Sequence, residues 1–431
     1  MTAFDRRLES ELPDILTAIA APRTPDYVDD ALALTAATRQ RPRWTFLERW
    51  LPMNVTAQRI AGPPSLPWRA LAVAALLISL LAAGLMIAGA QRKVPPPFGP
   101  ARNGALLFGD GDVFIRDSVN GPSRLLLGGP SQDFAASFTR DGQRLVFLRR
   151  TAGTAGSPDE RIQLFTARAD GTEAVALTGS LTSPDWWDLS PDDSLVVGSY
   201  GDYSVGQHLY RVNVKQPGEP EMIDLGRPID TSFPNFRGPD GAEVLFRGVT
   251  EINFVGRSGV FAVHPDGTGF RAVTPTDGRR DYDYQFPQPS PDGKLLTYTT
   301  WDGRHQILRM HILDLVTGVD RLFIDDTMRS DGYATFSPDS TKIVFKAQVG
   351  FKIQMTVSDV ADPSTMVPVG PAYTEMDGQY ITAVFSPDGK WVIVNDPTSK
   401  ETRLVDAMTG GEGTILDGAS GDQSAWQRLA P

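Results

Sequence analysis

Seven aspartates recur along the C-terminal three quarters of the chain, and their type and spacing could do chemistry. Six of them stand 7–11 residues before a second repeated aspartate. Carboxylates brought together in one place focus a negative potential, which favours a cation or a basic ligand. The other interpretation, which we favour, is that each aspartate caps a turn by bonding its own backbone. The seven are Asp133, Asp185, Asp230, Asp283, Asp331, Asp377 and Asp422.

Aromatic residues accompany these aspartates and could supply the walls of a binding pocket. They are Trp186, Trp187, Tyr284, Tyr333 and Tyr380, with Phe134 and Tyr282 nearby. The sequence predicts no cofactor and no metal, and Ca²⁺ is the one cation that an acidic ring would suggest. The segment GDGDVF (109–114) resembles part of a calcium loop. It lacks the remaining oxygen ligands and is typical of a hairpin turn.

Motifs of known catalytic sites are missing from the sequence. The chain has no Cys and four His, which excludes thiol nucleophiles and thiolate metal sites. It contains neither a zinc-binding HExxH pair nor a GxSxG nucleophile turn. We therefore predict a protein that is not an enzyme. One alternative stays open, namely a hydrolase or lyase that uses the repeated aspartates.

A repeat of about fifty residues positions these candidates. Its phrases are FTRDGQRLVF, LSPDDSLVVG, RGPDGAEVLF, PSPDGKLLTY, FSPDSTKIVF and FSPDGKWVIV, whose aspartates are Asp141, Asp192, Asp240, Asp292, Asp339 and Asp388. Pro followed by Asp and Gly is turn chemistry, and the apolar run after it is a strand. A unit of this length holds four short strands, so the repeat predicts the blades of a β-propeller.

The ends of the repeated region predict how the propeller closes. GALLF (104–108), DVFIRD (112–117) and SRLLLGG (123–129) form three strands of a blade without its first strand. SAWQRLA (424–430) resembles that missing strand. The fold class is therefore all-β, a seven-bladed propeller closed by its N- and C-terminal strands. Six blades is the alternative, if the last segment only packs on the surface.

One apolar segment divides the charge of the chain. From Ala70 to Ala90 there is no charged residue, and as a helix this segment matches the thickness of a bilayer core. Residues 1–93 hold 11 Lys+Arg and 8 Asp+Glu, a net charge of +3, and the remaining 30 and 44 give −14. Basic flanks favour the cytoplasm, which places the N-terminus inside. The acidic remainder argues against nucleic acid as a partner.

Four parts follow from these features. Residues 1–67 are predicted to be a cytoplasmic tail with short helices, 68–92 a single transmembrane helix, 93–103 a Pro-rich linker and 104–431 the propeller. In the tail, Trp44, Phe46, Arg49 and Trp50 are candidates for docking a cytoplasmic partner. An interfacial segment on anionic lipid, or a small cluster that closes the tail helices, are the alternatives.

The Ser-Pro-Asp-Gly phrases resemble the TolB-type propeller repeat of bacterial envelope proteins, over roughly residues 101–431. The resemblance implies the fold and a membrane-anchored protein with its propeller outside the cell membrane. The layout also resembles membrane-bound anti-sigma factors, although the zinc form is excluded because its Cys residues are missing. We predict a non-enzymatic binding or sensing module for a protein, peptide or glycan ligand, with signalling to the tail.

Overall fold

The computed structural model describes residues 76–77, 98–109, 111–155, 157, 159–184, 186–202, 206–250, 258–275, 285–374, 381–396, 398–416 and 423–430. The chain divides into two compact units, residues 1–91 and 92–431. Of the predicted transmembrane helix, only Leu76 and Leu77 are described, and the tail candidates Trp44, Phe46, Arg49 and Trp50 lie outside the described residues. No helix within these ranges has the length and apolarity needed to cross a bilayer.

The second unit contains seven sheets, which are the predicted blades. Blade 1 consists of β1 (Arg102–Gly109), β2 (Val113–Arg116), β3 (Arg124–Leu127) and the C-terminal β29 (Gln423–Leu429). Blade 2 consists of β4 (Gln132–Phe138), β5 (Arg144–Ala152), β6 (Arg161–Arg168) and β7 (Val175–Ala176). Blade 3 consists of β8 (Trp187–Leu189), β9 (Leu195–Asp202), β10 (Gly206–Asn213) and β11 (Gln216–Met222).

The remaining blades follow the same order. Blade 4 consists of β12 (Asp230–Arg237), β13 (Glu243–Val249), β14 (Ser258–Val263) and β15 (Arg271–Ala272). Blade 5 consists of β16 (Gln285–Pro289), β17 (Leu295–Asp302), β18 (Ile307–Asp314) and β19 (Asp320–Leu322). Blade 6 consists of β20 (Arg329–Phe336), β21 (Lys342–Val349), β22 (Lys352–Asp359) and β23 (Val367–Pro368), and β24 (Tyr373–Thr374) also pairs with β22. Blade 7 consists of β25 (Thr382–Phe385), β26 (Trp391–Asp396), β27 (Glu401–Asp406) and β28 (Thr414–Ile415). A short 3₁₀ helix, Pro363–Thr365, precedes β23.

The C-terminal strand closes the ring. β29 pairs antiparallel with β1, with Trp426 opposite Leu106 and Ala425 opposite Leu107. The prediction of seven blades is therefore confirmed, and the six-bladed alternative is wrong. Closure satisfies the edge of blade 1 that an open ring would leave unpaired. The predicted hairpin at GDGDVF is present as well, because Gly109 pairs with Val113 across the β1–β2 turn.

Apolar residues fill the space between neighbouring blades. Each of seven buried clusters combines side chains from two adjacent blades, as Leu164 of blade 2 and Tyr210 of blade 3 do. The middle strands are consequently buried on both faces, which explains their runs of consecutive apolar residues such as Val392-Ile393-Val394. Stacking around an axis is what buries both faces of each sheet.

The innermost strand of each blade borders a central channel. The innermost strands contact one another in the order β8, β12, β16, β20, β25, β29 and β4. In blades 2–7 this strand begins at the connection from the preceding blade and ends at the repeated turn. We call the two ends of the channel the interblade end and the turn end.

The repeated turn is held by one pattern of hydrogen bonds. In blade 7 the hydroxyl of Ser386 donates to Oδ1 of Asp388 over 2.6 Å and accepts from the backbone N–H of Trp391 over 3.0 Å. The same pair of bonds recurs at Ser190, Ser290 and Ser337, and Thr139 replaces Ser in blade 2. In these five blades the turn phrase therefore sets where the innermost strand ends, and this places the channel-lining positions.

Candidate functional site

Equivalent positions on the innermost strands can be counted back from the repeated aspartate. The residue six places before it, or seven in blade 4, stands at the same point of blades 2–7. In blades 3–6 this residue is aromatic, and we call Trp186, Phe233, Phe286 and Tyr333 the aromatic arc. Ala135 and Thr382 hold the position in blades 2 and 7. The arc therefore belongs to four successive blades.

The rings of the arc touch one another around the channel. Ring centroids are 6.1 Å apart for Trp186 and Phe233, 4.8 Å for Phe233 and Phe286, and 4.0 Å for Phe286 and Tyr333. The two residues at its ends are the most open, with exposed fractions of 38% for Trp186 and 39% for Tyr333. Four aromatic rings thus form a partly exposed apolar surface inside an acidic propeller.

The backbone of the arc is strained. Phe233, Phe286 and Tyr333 have φ angles of 53°, 51° and 55°, a left-handed conformation that bulky side chains rarely adopt. The strands bulge at these residues, where the pairing register with the next strand shifts. Bulges re-aim side chains, and strained residues concentrate at ligand-binding sites. Ala135 of blade 2 has the same left-handed conformation and the same register shift, so the distortion belongs to the repeat and carries an aromatic ring in blades 4–6.

A lysine lies against one end of the arc. Nζ of Lys346, on β21, is 4.0 Å from the ring centroid of Tyr333, within the range of a cation–π contact. Burial lowers the pKa of Lys346 to about 8, since removal from water disfavours the charged form. The arc thus combines an apolar surface with one amine that titrates near neutral pH.

Two aspartates of the predicted acidic ring are buried and bound by arginines. Asp133 is 1% exposed, and Nε and Nη2 of Arg149 donate to its two carboxylate oxygens over 2.6 and 2.8 Å. Asp331 is 4% exposed and accepts bonds of 2.8–2.9 Å from Arg329. Burial raises the pKa of Asp331, although Arg329 opposes that shift. Two carboxylates of the interblade end are therefore neutralised by arginines.

The third described aspartate has a different partner. Oδ1 of Asp230 accepts from the backbone N–H of Gln207, in the preceding blade, over 2.7 Å. The other members of the predicted set, Asp185, Asp283, Tyr284, Asp377, Tyr380 and Asp422, lie outside the described residues. Within the described ranges no group of three or more His, Asp and Glu side chains is arranged to hold a metal ion. Ligand binding by the acidic ring stays a prediction.

A cavity of about 380 Å³ occupies the turn end of the channel. Blades 2–7 each line it with the residue four places before the repeated aspartate, or five in blade 4: Ser137, Asp188, Asn235, Gln288, Thr335 and Val384. Trp186 of the arc and its neighbour Trp187 line this cavity as well. Trp426 and Arg428 of β29 and Arg140 of the blade 2 turn complete its polar wall.

Trp186, Trp187 and Tyr333 were predicted from the sequence, but Phe233 and Phe286 were not. They were missed because the aromatics were sought beside the leading aspartates, whose spacing varies. Counting six places back from the second aspartate finds Trp186, Phe286 and Tyr333, whereas Phe233 stands seven places back. Arg140 was missed as well, although it replaces the Pro that precedes the repeated aspartate in the other five phrases.

Comparisons with known proteins agree with the fold. A scan against protein-family models and a search of curated proteins gave no match. Among solved structures, an oligogalacturonate lyase in complex with manganese has a TM-score of 0.52 and 16% identity, over 73% of this chain and 93% of its own. The periplasmic gluconolactonase of Pseudomonas aeruginosa has a TM-score of 0.52 and 14% identity, over 76% and 99% of the two chains.

Solved TolB proteins are also among the structural neighbours. TolB from Acinetobacter baumannii has a TM-score of 0.45 and 17% identity, over 77% of this chain and 81% of its own. The predicted resemblance to TolB-type propellers is confirmed at the level of the fold. At these identities the likeness shows a shared architecture alone, so the function has to be argued from the site.

Proposed function

We propose that the propeller is a non-enzymatic binding module and that the aromatic arc is its ligand-binding surface. The observation that carries the proposal is the contact of the four aromatic rings, three of which, Phe233, Phe286 and Tyr333, are held in a left-handed conformation. Such a conformation costs on the order of 1–3 kcal/mol at each residue. Ala135 has this conformation in blade 2 as well, so what distinguishes blades 3–6 is an aromatic side chain at this position that remains partly exposed, as a preformed binding surface requires.

The arc determines which ligand group it can hold. Its apolar rings suit a flat apolar group, and Lys346 adds a donor at the Tyr333 end. Proline rings, aromatic side chains and the faces of sugar rings all have this shape. The proposed ligands are therefore those expected from the sequence, a protein, a peptide or a glycan.

Binding arrays test this function. The full chain, solubilised in detergent, is applied to a peptide array and a glycan array. Truncating a central aromatic anchor costs about 2 kcal/mol or more of binding, which is roughly a thirtyfold loss of affinity. We expect this loss for Trp186→Ala and Tyr333→Ala. Phe351→Ala is the matched control, because Phe351 is an aromatic residue with an exposed fraction of 81% outside the arc. Equal binding by all three variants would contradict the proposal.

The alternative function is a propeller hydrolase or lyase that uses carboxylates at the channel mouth. The neighbouring solved structures include a lyase and a lactonase. The burial of Asp133 supports the binding module instead, because this carboxylate is 1% exposed and bound by Arg149, out of reach of a substrate. A general base needs a free lone pair within reach of its substrate.

The proposal includes the predicted topology. The N-terminal tail would lie in the cytoplasm, one helix at 68–92 would cross the cell membrane, and the propeller would lie outside. The tail would bind a cytoplasmic partner in the manner of a zinc-free anti-sigma factor. Protease added to intact cells should then digest the propeller and spare residues 1–67. Digestion of the tail instead would reverse the topology.

A pull-down tests the cytoplasmic partner separately. Full-length chain is compared with a variant in which Trp44 and Trp50 are both changed to Ala. We expect a sigma factor to be recovered with the unchanged chain and to be lost with the variant. Recovery of no sigma factor with either would sink the anti-sigma part of the proposal and leave the propeller part standing.

A further inference from the structure

The cavity at the turn end of the channel has aromatic side chains in its wall. Trp186, Trp187 and Trp426 line it, together with Phe98. Trp186 is also the first residue of the aromatic arc, where its ring meets that of Phe233 at an interplanar angle of 61°. Tryptophan carries a large flat apolar ring system. The cavity therefore offers an apolar surface that is continuous with the arc.

Uncharged polar side chains supply much of the remaining lining. They are the amides of Asn235 and Gln288 and the hydroxyls of Ser137, Thr335 and Ser424. Each of these groups can both donate and accept. Nε2 of Gln288 lies 3.5 Å from Oδ1 of Asn235, and Oγ of Ser137 lies 3.5 Å from the backbone oxygen of Phe138. Ordinary hydrogen bonds are about 2.7–3.2 Å long, so these groups can form shorter bonds with a ligand.

The charged side chains of the cavity have partners within the protein. Nη2 of Arg140 donates to Oδ1 of Asp188 over 3.1 Å. The same carboxylate accepts from two backbone N–H groups, each over 2.8 Å, and Arg428 donates to the backbone oxygen of Gly99. A charged ligand group would have to compete with these contacts, whereas an uncharged one would not. The lining therefore favours an uncharged ligand.

A flat apolar surface beside amides and hydroxyls is complementary to a sugar ring. One face of a pyranose carries C–H groups that pack on aromatic rings, and its hydroxyls both donate and accept hydrogen bonds. A proline ring or an aromatic side chain would also cover the tryptophans. It would, however, leave the amides and hydroxyls of the cavity buried without partners, and unsatisfied buried polar groups are costly.

We propose that the ligand of this cavity is an uncharged pyranose unit of a glycan, stacked on Trp186 and hydrogen-bonded to Gln288 and Thr335. The cavity volume of about 380 Å³ falls within the range of small-molecule sites. Thr335 is half-buried and follows Tyr333 of the arc by two residues. Its hydroxyl thus lies where a ring in contact with the arc can reach it.

This inference rests on the proposed function, because Trp186 belongs both to the arc and to the cavity. It narrows the proposed ligands from a protein, a peptide or a glycan to a glycan with an uncharged pyranose. A ligand that is a peptide would overturn the sugar site and leave the binding module standing.

Titrations with defined sugars test the ligand class. The full chain, solubilised in a detergent without a sugar headgroup, is titrated separately with maltotriose, cellotriose, mannotriose and triacetylchitotriose. Binding is measured by calorimetry and by tryptophan emission, since three tryptophans line the cavity. We expect saturable binding of at least one of these sugars. Sorbitol has similar hydroxyls but no ring and should not bind, and the charged trigalacturonate should bind more weakly than the best neutral sugar.

Substitutions of cavity residues connect the signal to the site. Thr335→Val and Gln288→Leu each remove polar groups with little change of volume. We expect a roughly two- to tenfold loss of affinity from each, as for one neutral hydrogen bond. Trp186→Ala removes the stacking surface and should lose affinity roughly thirtyfold. Thr414→Val and Gln216→Leu, at exposed positions of the outer strands, are the matched controls and should bind as the unchanged chain does.

Several outcomes would overturn the proposal. These are binding of none of the four sugars, equal binding of sorbitol, and tighter binding of trigalacturonate than of every neutral sugar. An affinity unchanged in both Thr335→Val and Gln288→Leu would place the sugar outside the cavity. The melting temperature of each variant is measured without sugar. If Gln288→Leu is destabilised, Gln288→Met keeps an unbranched side chain of similar length, and its sugar affinity should fall in the same way.

Discussion

Charged side chains are partnered differently at the interblade end and at the turn end of the channel. At the interblade end, Asp133 and Asp331 are buried and each is bound by an arginine of its own blade. At the turn end, Arg428 donates to the backbone oxygen of Gly99, a neutral acceptor, and Arg140 shares Asp188 with two backbone amides. The ion pairs of the interblade end lie within single blades, whereas the pair of Arg140 and Asp188 at the turn end joins two neighbouring blades.

This difference shows that the net charge of a region does not predict the electrostatic field at a site within it. Residues 94–431 are strongly acidic, and seven aspartates point to an anionic mouth. The field at a site depends on which charges are paired and which are buried. Two of the three described carboxylates of the interblade end, Asp133 and Asp331, are paired with arginines, so the number of aspartates alone does not give the field there.

Removal of a buried carboxylate from the interblade end should have the largest effect on stability. Asp133→Ala leaves the guanidinium of Arg149 partly buried over the rings of Phe147 and Phe165 without its partner. Breaking a buried ion pair from one side costs about 3–5 kcal/mol. We expect that decrease in the free energy of unfolding, measured by urea denaturation in detergent.

Two further variants interpret this result. Asp117→Ala breaks an exposed pair with Arg124 and should cost less than about 1 kcal/mol. The double variant Asp133→Leu with Arg149→Met should recover much of the lost stability, because both charges leave together. If Asp133→Ala and Asp117→Ala cost the same, the buried pair of the interblade end would contribute no more stability than an exposed pair.

The second largest effect is expected for the hydrogen-bonded turn at the turn end of the channel. Ser386 is fully buried and bonds both Asp388 and the backbone of Trp391. Ser386→Ala leaves a backbone N–H without its acceptor, which costs about 1–3 kcal/mol. The same denaturation measures it, with Ser364→Ala as the control in an exposed turn. A cost near zero would mean that the turn phrase does not hold the cavity wall in place.

Most of the fold could be predicted from these turns, and less of the site could. The period, the Ser-Pro-Asp chemistry and the C-terminal strand together predict seven closed blades. Asp133 lies directly opposite Arg149 across β4 and β5, and this pairing needs the register of the strands, which a count of residues does not supply. The arc depends on bulges whose left-handed residues, Phe233, Phe286 and Tyr333, are bulky side chains that no turn rule would select.

A third measurement concerns Lys346, which lies at the arc between the two ends. Its pKa is about 8 in the folded protein, against an ordinary value of 10.5. Below about pH 8 the amine is charged in both states and burial penalises the folded one. Between about 8 and 10.5 the folded state loses its proton first, so stability should rise with pH.

Lys346→Met should remove this rise and stabilise the protein at pH 7. The measurement is the free energy of unfolding across that range of pH, with Lys390→Met, an exposed lysine, as the control. A rise of the same size in both variants would mean that another group titrates there. A flat profile in the unchanged chain would place Lys346 in a wetter environment than its contact with Tyr333 indicates.

The smallest effect is expected at the turn end, and it gives the sharpest contrast with Asp133. Arg428→Met removes a buried charge that is repelled by Arg140 and whose described acceptor is the backbone oxygen of Gly99. The lost hydrogen bond costs about 0.5–1.5 kcal/mol, and the relief of desolvation opposes that loss. We therefore expect a change in unfolding free energy within about 1 kcal/mol, in either direction. A large loss would show that the contacts of Arg428 stabilise the fold by more than its hydrogen bond to Gly99 accounts for.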